Sequence, residues 1–147
     1  MKLESVTAKA AYDIAARLKK EGHIAYFAGG CVRDFLMQEI PHDIDIATSA
    51  TPEIIESLFP HTVPVGKQFG VMMVIERDIP FEVATFRTEG GYVDGRHPSA
   101  VRFSVPEEDA KRRDFTVNGL FYDPFQGKVM DFVGGVSDVE KKVIRAI

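Results

Sequence analysis

The chain has 147 residues, a length suited to one domain with a substantial core. Its apolar share of 45% and charged share of 27% are ordinary for a globular protein in water, and no apolar run is long enough for a membrane span. The net charge of −4 argues against binding nucleic acid by overall charge, although a local basic cleft is compatible with it. The single cysteine, Cys31, excludes an intrachain disulfide, and the N-terminal residues lack the apolar stretch of a secretory signal, so we expect a cytoplasmic protein.

The first part of the chain alternates helices and strands. Apolar residues at every fourth position predict a helix over residues 5–21. The apolar run 23–28 predicts a buried strand, which the turn at residues 29–30 joins to a second helix. Residues 43–48 predict a further strand, and residues 51–59 a helix, because a capping threonine there precedes proline and glutamate.

A β-hairpin is predicted in the middle of the chain. Residues 71–76 and 81–86 are apolar strand candidates, and residues 77–80 form the turn between them. Residues 88–99 contain three glycines and a proline and predict a mobile loop.

The last part of the chain again mixes helices and strands. Residues 107–113 predict a helix that residues 114–118 could continue. Residues 120–123 and 128–132 predict a second hairpin, and residues 134–147 a final helix that runs to the chain end. Short strands and helices in this order favour an α+β or mixed α/β fold over a regular parallel one.

Asp43 and Asp45 lie in the run DIDIAT, where a strand places both side chains on one face and Ile44 and Ile46 on the other. Two neighbouring carboxylates repel each other unless they share a proton or bind a cation. Mg²⁺ takes one or two carboxylates together with water and substrate phosphates. The pair therefore predicts a metal–phosphate site, and a solvated pair at a loop edge or a capping group is the alternative.

Gly29 and Gly30 stand between a predicted strand and a predicted helix, in the run GGCVRD. Glycine lets backbone amides approach a ligand closely, and a helix N-terminus favours anions. Arg33, one turn into the helix, can add a bidentate phosphate contact. A plain turn with a surface arginine is the alternative, since the pattern matches neither a P-loop nor the dinucleotide fingerprint.

Further polar candidates follow later in the chain. Glu82 has apolar neighbours in a predicted strand, so its carboxylate lies at a sheet edge or faces a metal. Arg112, Arg113, Asp114 and Asn118 fall in one short element, KRRDFTVN. Paired arginines can neutralise phosphate, and Asp or Asn can bond ribose hydroxyls. A basic, solvated helix end is the alternative for this element.

Other reactive residue types give weaker signals. Cys31 has no histidine, asparagine or aspartate context that would make it a nucleophile, so we expect a small packed residue. The four histidines show no metal-ligand spacing, although His42 and His97 could lie near a site.

Taken together, these segments resemble the catalytic head of the class II tRNA nucleotidyltransferase (CCA-adding enzyme) and bacterial poly(A) polymerase family, within the DNA-polymerase-beta-like superfamily. The resemblance covers nearly all of residues 22–147. It rests on six motifs in the family's order: GGCVRD (29–34), DIDIAT (43–48), FEVATFR (81–87), DGRHP (94–98), KRRDFTVN (111–118) and DPFQGKVMDFVGG (123–135). Each motif alone is weak, whereas six in this order are highly specific. The resemblance implies a short mixed sheet flanked by helices, in one head domain over residues 1–147.

The resemblance also implies a metal site. Asp43 and Asp45 would bind the catalytic Mg²⁺, with two ions expected, and Glu82 would be a further catalytic carboxylate.

A nucleotide site is implied as well. Gly30 and Arg33 would hold the triphosphate, and Arg113 and Asp114 would contact the nucleotide, including its ribose. The loop at residues 88–99 would help to switch between nucleotides. The whole predicted nucleotide-binding set is Gly29, Gly30, Arg33, Asp34, Arg112, Arg113, Asp114 and Asn118.

The activity that the resemblance implies is template-independent transfer of a nucleotide from ATP or CTP to the 3′ end of tRNA. A poly(A) polymerase and a non-catalytic module that binds Mg²⁺–NTP are the alternatives, and the net charge disfavours a plain RNA-interaction domain. In the family, the head continues into a neck that selects the base and into regions that hold the tRNA. The resemblance therefore predicts a chain truncated before the neck, with weak or no activity by itself.

Overall fold

A seven-stranded mixed sheet forms the centre of the fold. The structure is a computed structural model and describes residues 5–88 and 102–147. The strands, in chain order, are β1 (Ala25–Ala28), β2 (Asp45–Thr48), β3 (Thr62–Gly66), β4 (Val71–Glu76), β5 (Ile79–Thr85), β6 (Arg87–Thr88), β7 (Arg102–Phe103), β8 (Leu120–Asp123) and β9 (Lys128–Asp131). Strands β6 and β7 form a separate two-stranded ribbon, and the other seven follow the order β3-β4-β5-β2-β1-β8-β9 across the sheet.

Five α-helices are described beside these strands. They are α1 (Val6–Lys20), α2 (Gly30–Leu36), α3 (Pro52–Leu58), α4 (Pro106–Lys111) and α5 (Gly135–Lys141). Ser5 and Thr51 cap α1 and α3 with their hydroxyl oxygens, which accept the amide hydrogens of Ala8 and Ile54. The predicted starts of both helices are therefore confirmed.

The strand pairing is mixed, as expected. Strands β2 and β5 pair in parallel, and the other neighbouring strands of the described sheet pair antiparallel. Both predicted hairpins are present, as β4–β5 and β8–β9. The predicted α+β fold, a short mixed sheet flanked by helices, is confirmed.

The main core lies on the face of the sheet that α1 covers. Ile14 and Leu18 of α1 pack there with Phe27, Ile46 and Val83 of the sheet, and all five side chains are fully buried. Burial of such side chains contributes about 1.5–3 kcal/mol each. This helix therefore anchors the three central strands that carry the candidate site.

A smaller cluster lies on the opposite face of the sheet. It joins Ala47, Phe86 and Phe121 to Ala110 of α4. The Phe86 and Phe121 rings meet edge to face with their centroids 5.7 Å apart. Because Ile46 and Ala47 are successive residues of β2 in different clusters, the sheet is packed on both faces.

Strand β3 was not predicted. Its sequence, TVPVG, contains a proline and a glycine, both of which disfavour strands. It lies at the edge of the sheet, with a neighbouring strand on one side only. Pro64 is tolerated there because its lack of an amide hydrogen need not remove a hydrogen bond between strands. Its register against β4 shifts between Val63 and Gly66, and its valines, Val63 and Val65, are exposed.

Two predicted strand starts in the middle of the chain were wrong. Strand β2 begins at Asp45 rather than at residue 43. Strand β5 begins at Ile79, because the turn consists of Arg77 and Asp78, which have φ angles of +52° and +62°. Apart from Thr88 in β6, the predicted loop at residues 88–99 lies outside the described residues.

Two helix predictions near the end of the chain were also wrong. Helix α4 ends at Lys111, and residues 114–118 do not continue it but contain a separate 3₁₀ turn, Thr116–Asn118. Helix α5 ends at Lys141, because Lys142 takes up a left-handed conformation and its amide donates back to Asp138 and Val139.

The segment after α5 returns to the 3₁₀ turn. Ala146 forms a β-bridge with Phe115, and the Thr116 amide donates to the Arg145 carbonyl at 2.9 Å. The buried Asp138 carboxylate accepts the Thr116 hydroxyl at 2.6 Å and Arg145 Nε at 3.1 Å. These contacts fix the 3₁₀ turn in place.

Across the part of the chain that the structure describes, no helix combines the length and apolar character that a membrane crossing requires.

Candidate active site

The pairing of strand β2 with its two neighbours brings the predicted carboxylates together. Strand β2 pairs with β1 so that Asp45 lies opposite Ala28, the last residue before the Gly29 turn. It also pairs in parallel with β5, where Ile46 lies opposite Val83. Asp45 and Glu82, one residue earlier on each strand, are therefore neighbours whose side chains point to the same face of the sheet.

Asp43 lies near these carboxylates although it precedes strand β2. Asp43 and Asp45 are exposed, whereas Ile44 and Ile46 are buried, so the predicted alternation of faces is confirmed. Loss of water around the carboxyl group, caused by partial burial, raises the pKa of Asp45 to about 6. Repulsion from Glu82 and Asp43 adds to the rise, and Arg113 opposes it.

The carboxylates suit a divalent cation. Among residues 5–88 and 102–147, no ion pair joins Asp43, Asp45 or Glu82 to a lysine or arginine, so their mutual repulsion is not neutralised by salt bridges. The same residues contain no group of three or more acidic, histidine or cysteine side chains that would by itself hold a metal. Two carboxylates that leave room for water and substrate oxygens match the coordination of Mg²⁺.

Seven of the eight predicted nucleotide-binding residues line one cavity. We call this the basic pocket. Its volume is about 420 Å³, which lies within the usual range of small-ligand sites. Its lining residues are Gly29, Gly30, Arg33, Arg112, Arg113, Asp114 and Asn118. The eighth residue, Asp34, does not line the pocket but accepts Nε and Nη2 of Arg33 at 3.2 and 3.1 Å.

The Arg33 guanidinium lies over the glycine turn. A Cβ atom at Gly30 would come within 3.2 Å of Arg33 Nη2, so the glycine allows this close approach. Arg33 Nη1 donates to Asn118 Oδ1 at 2.9 Å, and Asn118 Nδ2 donates to Asp114 at 3.3 Å. Arg33 is thus oriented from two sides, by Asp34 and by Asn118.

Asp109 was missed by the sequence analysis. Its side chain is 1% exposed and accepts Nε of both Arg112 and Arg113, at 3.3 and 3.1 Å, together with the Arg87 amide at 2.8 Å. The Arg113 guanidinium also lies 5.2 Å from the centre of the Phe121 ring. The sequence did contain a signal for this role. Asp109 precedes Arg112 by three residues and Arg113 by four, and helical spacing brings such side chains together.

Gly29 joins the two halves of the site. A Cβ atom there would be 3.7 Å from Arg113 Nη1 and 3.9 Å from Asp45 Oδ2, so the basic pocket and the carboxylates are direct neighbours. Gly29 has a φ angle of +75°, which disfavours other residues. The arrangement places clustered guanidinium groups beside clustered carboxylates, as a metal-bound polyphosphate requires.

Comparison with known proteins identifies the family. The family model of the poly A polymerase head domain matches residues 25–145. This chain belongs to that family. The match agrees with the resemblance inferred from the sequence motifs.

Named relatives of this head domain are CCA-adding enzymes. The CCA-adding enzyme of Bacillus subtilis (strain 168) is 50% identical over 131 residues, which cover 88% of this chain and 33% of that protein. The CCA-adding enzyme of Streptococcus pneumoniae (strain CGSP14) is 47% identical over 138 residues, 93% of this chain and 34% of that protein. The head domain thus spans about a third of the length of these relatives.

A solved relative has the same fold. The crystal structure of the Bacillus stearothermophilus CCA-adding enzyme in complex with CTP superposes with a TM-score of 0.85 at 38% identity. The alignment covers 97% of this chain and 34% of that one. The head domain therefore has the polymerase-beta-like nucleotidyltransferase fold.

Asp109→Asn should destabilise the head domain, because Arg112 and Arg113 keep their charge and lose their buried partner. Breaking a buried pair costs about 3–5 kcal/mol, and we expect the lower end because both arginines remain partly exposed. Asp13→Asn is the matched control, since Asp13 pairs with Arg77 and both side chains are 45% exposed. That loss should be under about 1 kcal/mol. Urea unfolding measures both, and equal losses would contradict the role given to Asp109.

Asp45→Asn should stabilise the metal-free protein above about pH 6. The raised pKa means that the folded chain holds more protons than the unfolded chain between the ordinary value of 3.8 and about 6, so stability falls as the pH rises through this window. The variant lacks that titration and should melt like the parent near pH 4 and higher than the parent near pH 7. Thermal melts in EDTA test this. Added Mg²⁺ should raise the melting temperature of the parent and not that of the variant. If the two proteins have the same melting temperature at every pH, the raised pKa of Asp45 is rejected.

Proposed function

We propose that this head domain transfers nucleotides to the 3′ end of an RNA. The observation that carries the proposal is the junction at Gly29, where Arg113 of the basic pocket and Asp45 of the carboxylate group meet. A triphosphate bound in the pocket would then present its α-phosphate to the carboxylates. Nucleotidyl transfer needs this juxtaposition, because its catalysis consists mostly of positioning and charge stabilisation.

The basic pocket would bind the nucleoside triphosphate. The Gly29–Gly30 backbone and the guanidinium of Arg33 would hold the phosphates, since Arg33 is already oriented by Asn118 and Asp34. Arg113 would contact the nucleotide, and Asp114 would accept a ribose hydroxyl. Arg112 would add positive charge from a side chain that is only 16% exposed.

Asp43 and Asp45 would hold Mg²⁺, with Glu82 as a further carboxylate beside them. Two such ions would neutralise charge on the phosphates and lower the pKa of the attacking hydroxyl. In the reaction, the 3′ oxygen of the RNA forms a bond to the α-phosphorus and the bond to the bridging oxygen breaks. Pyrophosphate leaves, and the hydroxyl proton passes to a carboxylate oxygen or to water.

The proposed substrates are tRNA, CTP and ATP. The relatives at 47–50% identity are named CCA-adding enzymes, and the solved relative contains CTP. The family description, poly A polymerase head domain, supports addition of A alone as the second candidate. A third candidate is a module that binds Mg²⁺–NTP without turnover.

A head exchange tests the proposal. The matching 131-residue stretch of the Bacillus subtilis CCA-adding enzyme is replaced by this head domain, and the chimaera is assayed on tRNA that lacks its 3′ CCA. We expect CCA addition, and its loss when the chimaera carries Asp45→Asn. A folded chimaera that binds CTP without extending tRNA would reject catalysis, and addition of A alone would favour the poly(A) polymerase.

Arg33→Ala should weaken binding of a nucleoside triphosphate more than binding of the nucleoside. A hydrogen bond to a charged group contributes about 1.5–3 kcal/mol, and the nucleoside lacks the phosphate that receives it. Arg77→Ala is the control, because Arg77 is an exposed arginine in a surface ion pair away from the pocket. Calorimetry with CTP and cytidine measures the difference. An equal loss for both ligands would assign Arg33 to folding instead.

Gly29→Ala should weaken Mg²⁺–NTP binding, because the new methyl group fills the junction between Arg113 and Asp45. Gly22→Ala is a matched control. Gly22 also has a positive φ angle, +90°, but a Cβ atom there would meet no atom of the described residues within 4 Å. Each substitution should cost about 1–3 kcal/mol of backbone strain, because both glycines have positive φ angles that alanine disfavours. If both variants bind the nucleotide like the parent, the pocket and the carboxylates do not act on one ligand.

A further inference from the structure

One buried carboxylate has no part in the proposed chemistry. Asp138 of α5 is buried and does not line the basic pocket. Its Oδ2 atom accepts the Thr116 hydroxyl and Arg145 Nε. Removing a carboxylate from water is costly, and the Arg145 side chain offsets that cost only in part, because it is itself 62% exposed and hydrated. Net stability is therefore a weak reason for Asp138 to be buried.

Thr116 is held at its side chain and at its backbone. Its hydroxyl donates to Asp138 at 2.6 Å, and its amide donates to the Arg145 carbonyl at 2.9 Å. A Cβ atom at Gly135 would collide with the Thr116 carbonyl oxygen, so the start of α5 packs directly against the 3₁₀ turn. Helix α5 and the segment after it therefore fix Thr116 from several directions.

The same turn carries Asn118 to the basic pocket. The Asn118 amide donates to the Phe115 carbonyl at 3.0 Å, so Thr116 and Asn118 belong to one hydrogen-bonded turn and move together. Asn118 Oδ1 accepts Arg33 Nη1 at 2.9 Å.

Arg33 depends on Asn118 for its direction. Asp34 accepts both Nε and Nη2 of Arg33, but on the single oxygen Oδ1. Because both bonds end on one atom, the guanidinium can pivot about it, and the contact with Asn118 prevents that pivot. A guanidinium held in one orientation loses less conformational freedom when a phosphate binds.

We propose that Asp138 is a positioning residue for the triphosphate. It holds Thr116 and thereby the 3₁₀ turn, and the turn places Asn118 where it orients Arg33. The inference rests on the proposed function, in which Arg33 binds the phosphates, and extends it to a buried group outside the pocket. Asp138 itself touches no ligand in this account.

Thr116→Val tests the link, because valine has nearly the same shape and lacks the hydroxyl that donates to Asp138. We expect calorimetry on the 147-residue chain to show about fivefold weaker binding of CTP with Mg²⁺, which corresponds to the cost of ordering one long side chain on binding. Thr116→Ser keeps the hydroxyl and should bind CTP like the parent. Asp138→Ala should weaken binding as Thr116→Val does, and the two substitutions together should add nothing.

Thr85→Val is the matched control for lost stability. Thr85 is also a buried threonine, and its hydroxyl donates at the same distance, 2.6 Å, to the Ala50 carbonyl. Urea unfolding should show similar losses of stability in the two valine variants, whereas CTP affinity should fall only in Thr116→Val. Equal losses of affinity would make the effect a general result of destabilisation and overturn the inference.

An Arg33→Ala background shows whether the effect passes through Arg33. In that background, Thr116→Val should not weaken CTP binding further, because the group that it disorients is gone. The same fold-loss in both backgrounds, or parental affinity in Thr116→Val, would overturn the inference and leave the proposed function standing. If the parent chain does not bind CTP with Mg²⁺ at all, the proposed function itself fails.

Discussion

The register of β2 against its two neighbours is the constraint on which the site depends. Antiparallel pairing with β1 sets Asp45 opposite Ala28, and so beside the glycine turn that follows β1. Parallel pairing with β5 sets the same residue beside Glu82. A slip of one residue would turn Asp45 toward the core and expose Ile46. Because Ile46 and Phe27 are fully buried under α1, the hydrophobic core itself enforces the register that the proposed chemistry needs.

The charged side chains of the site form two groups, one on each side of β2. Arginines are held on the β1 side by Asp109, Asp34 and Asn118, and carboxylates gather on the β5 side without ion pairs among the described residues. The arginines are compensated by these partners and therefore fixed, whereas the carboxylates repel each other. Under the proposed function, the site combines one preorganised half with one half that a bound cation would complete.

Local patterns in the sequence predicted most of the elements and the candidate residues. The alternation in DIDIAT and the capping Thr51-Pro52 pair are signals contained within a few residues, and both agree with the structure. What could not be predicted depends on distant contacts. Arg33 meets Asn118 across 85 positions of the chain, and the separate 3₁₀ turn that carries Asn118 is held by Asp138 and Arg145. Strand β3 escaped prediction because its place at a sheet edge, rather than its composition, makes its proline acceptable.

That edge has a consequence for the behaviour of the protein in concentrated solution. Exposed valines on an outer strand would ordinarily invite another chain to extend the sheet and start aggregation. Pro64 removes a hydrogen-bond donor in the middle of β3, and the shifted register between Val63 and Gly66 interrupts a regular ladder. The opposite outer strand, β9, begins with Lys128 and ends with Asp131. Both outer strands of the described sheet are thus poor templates for self-association, so the exposed valines of β3 do not by themselves invite a second chain to extend the sheet.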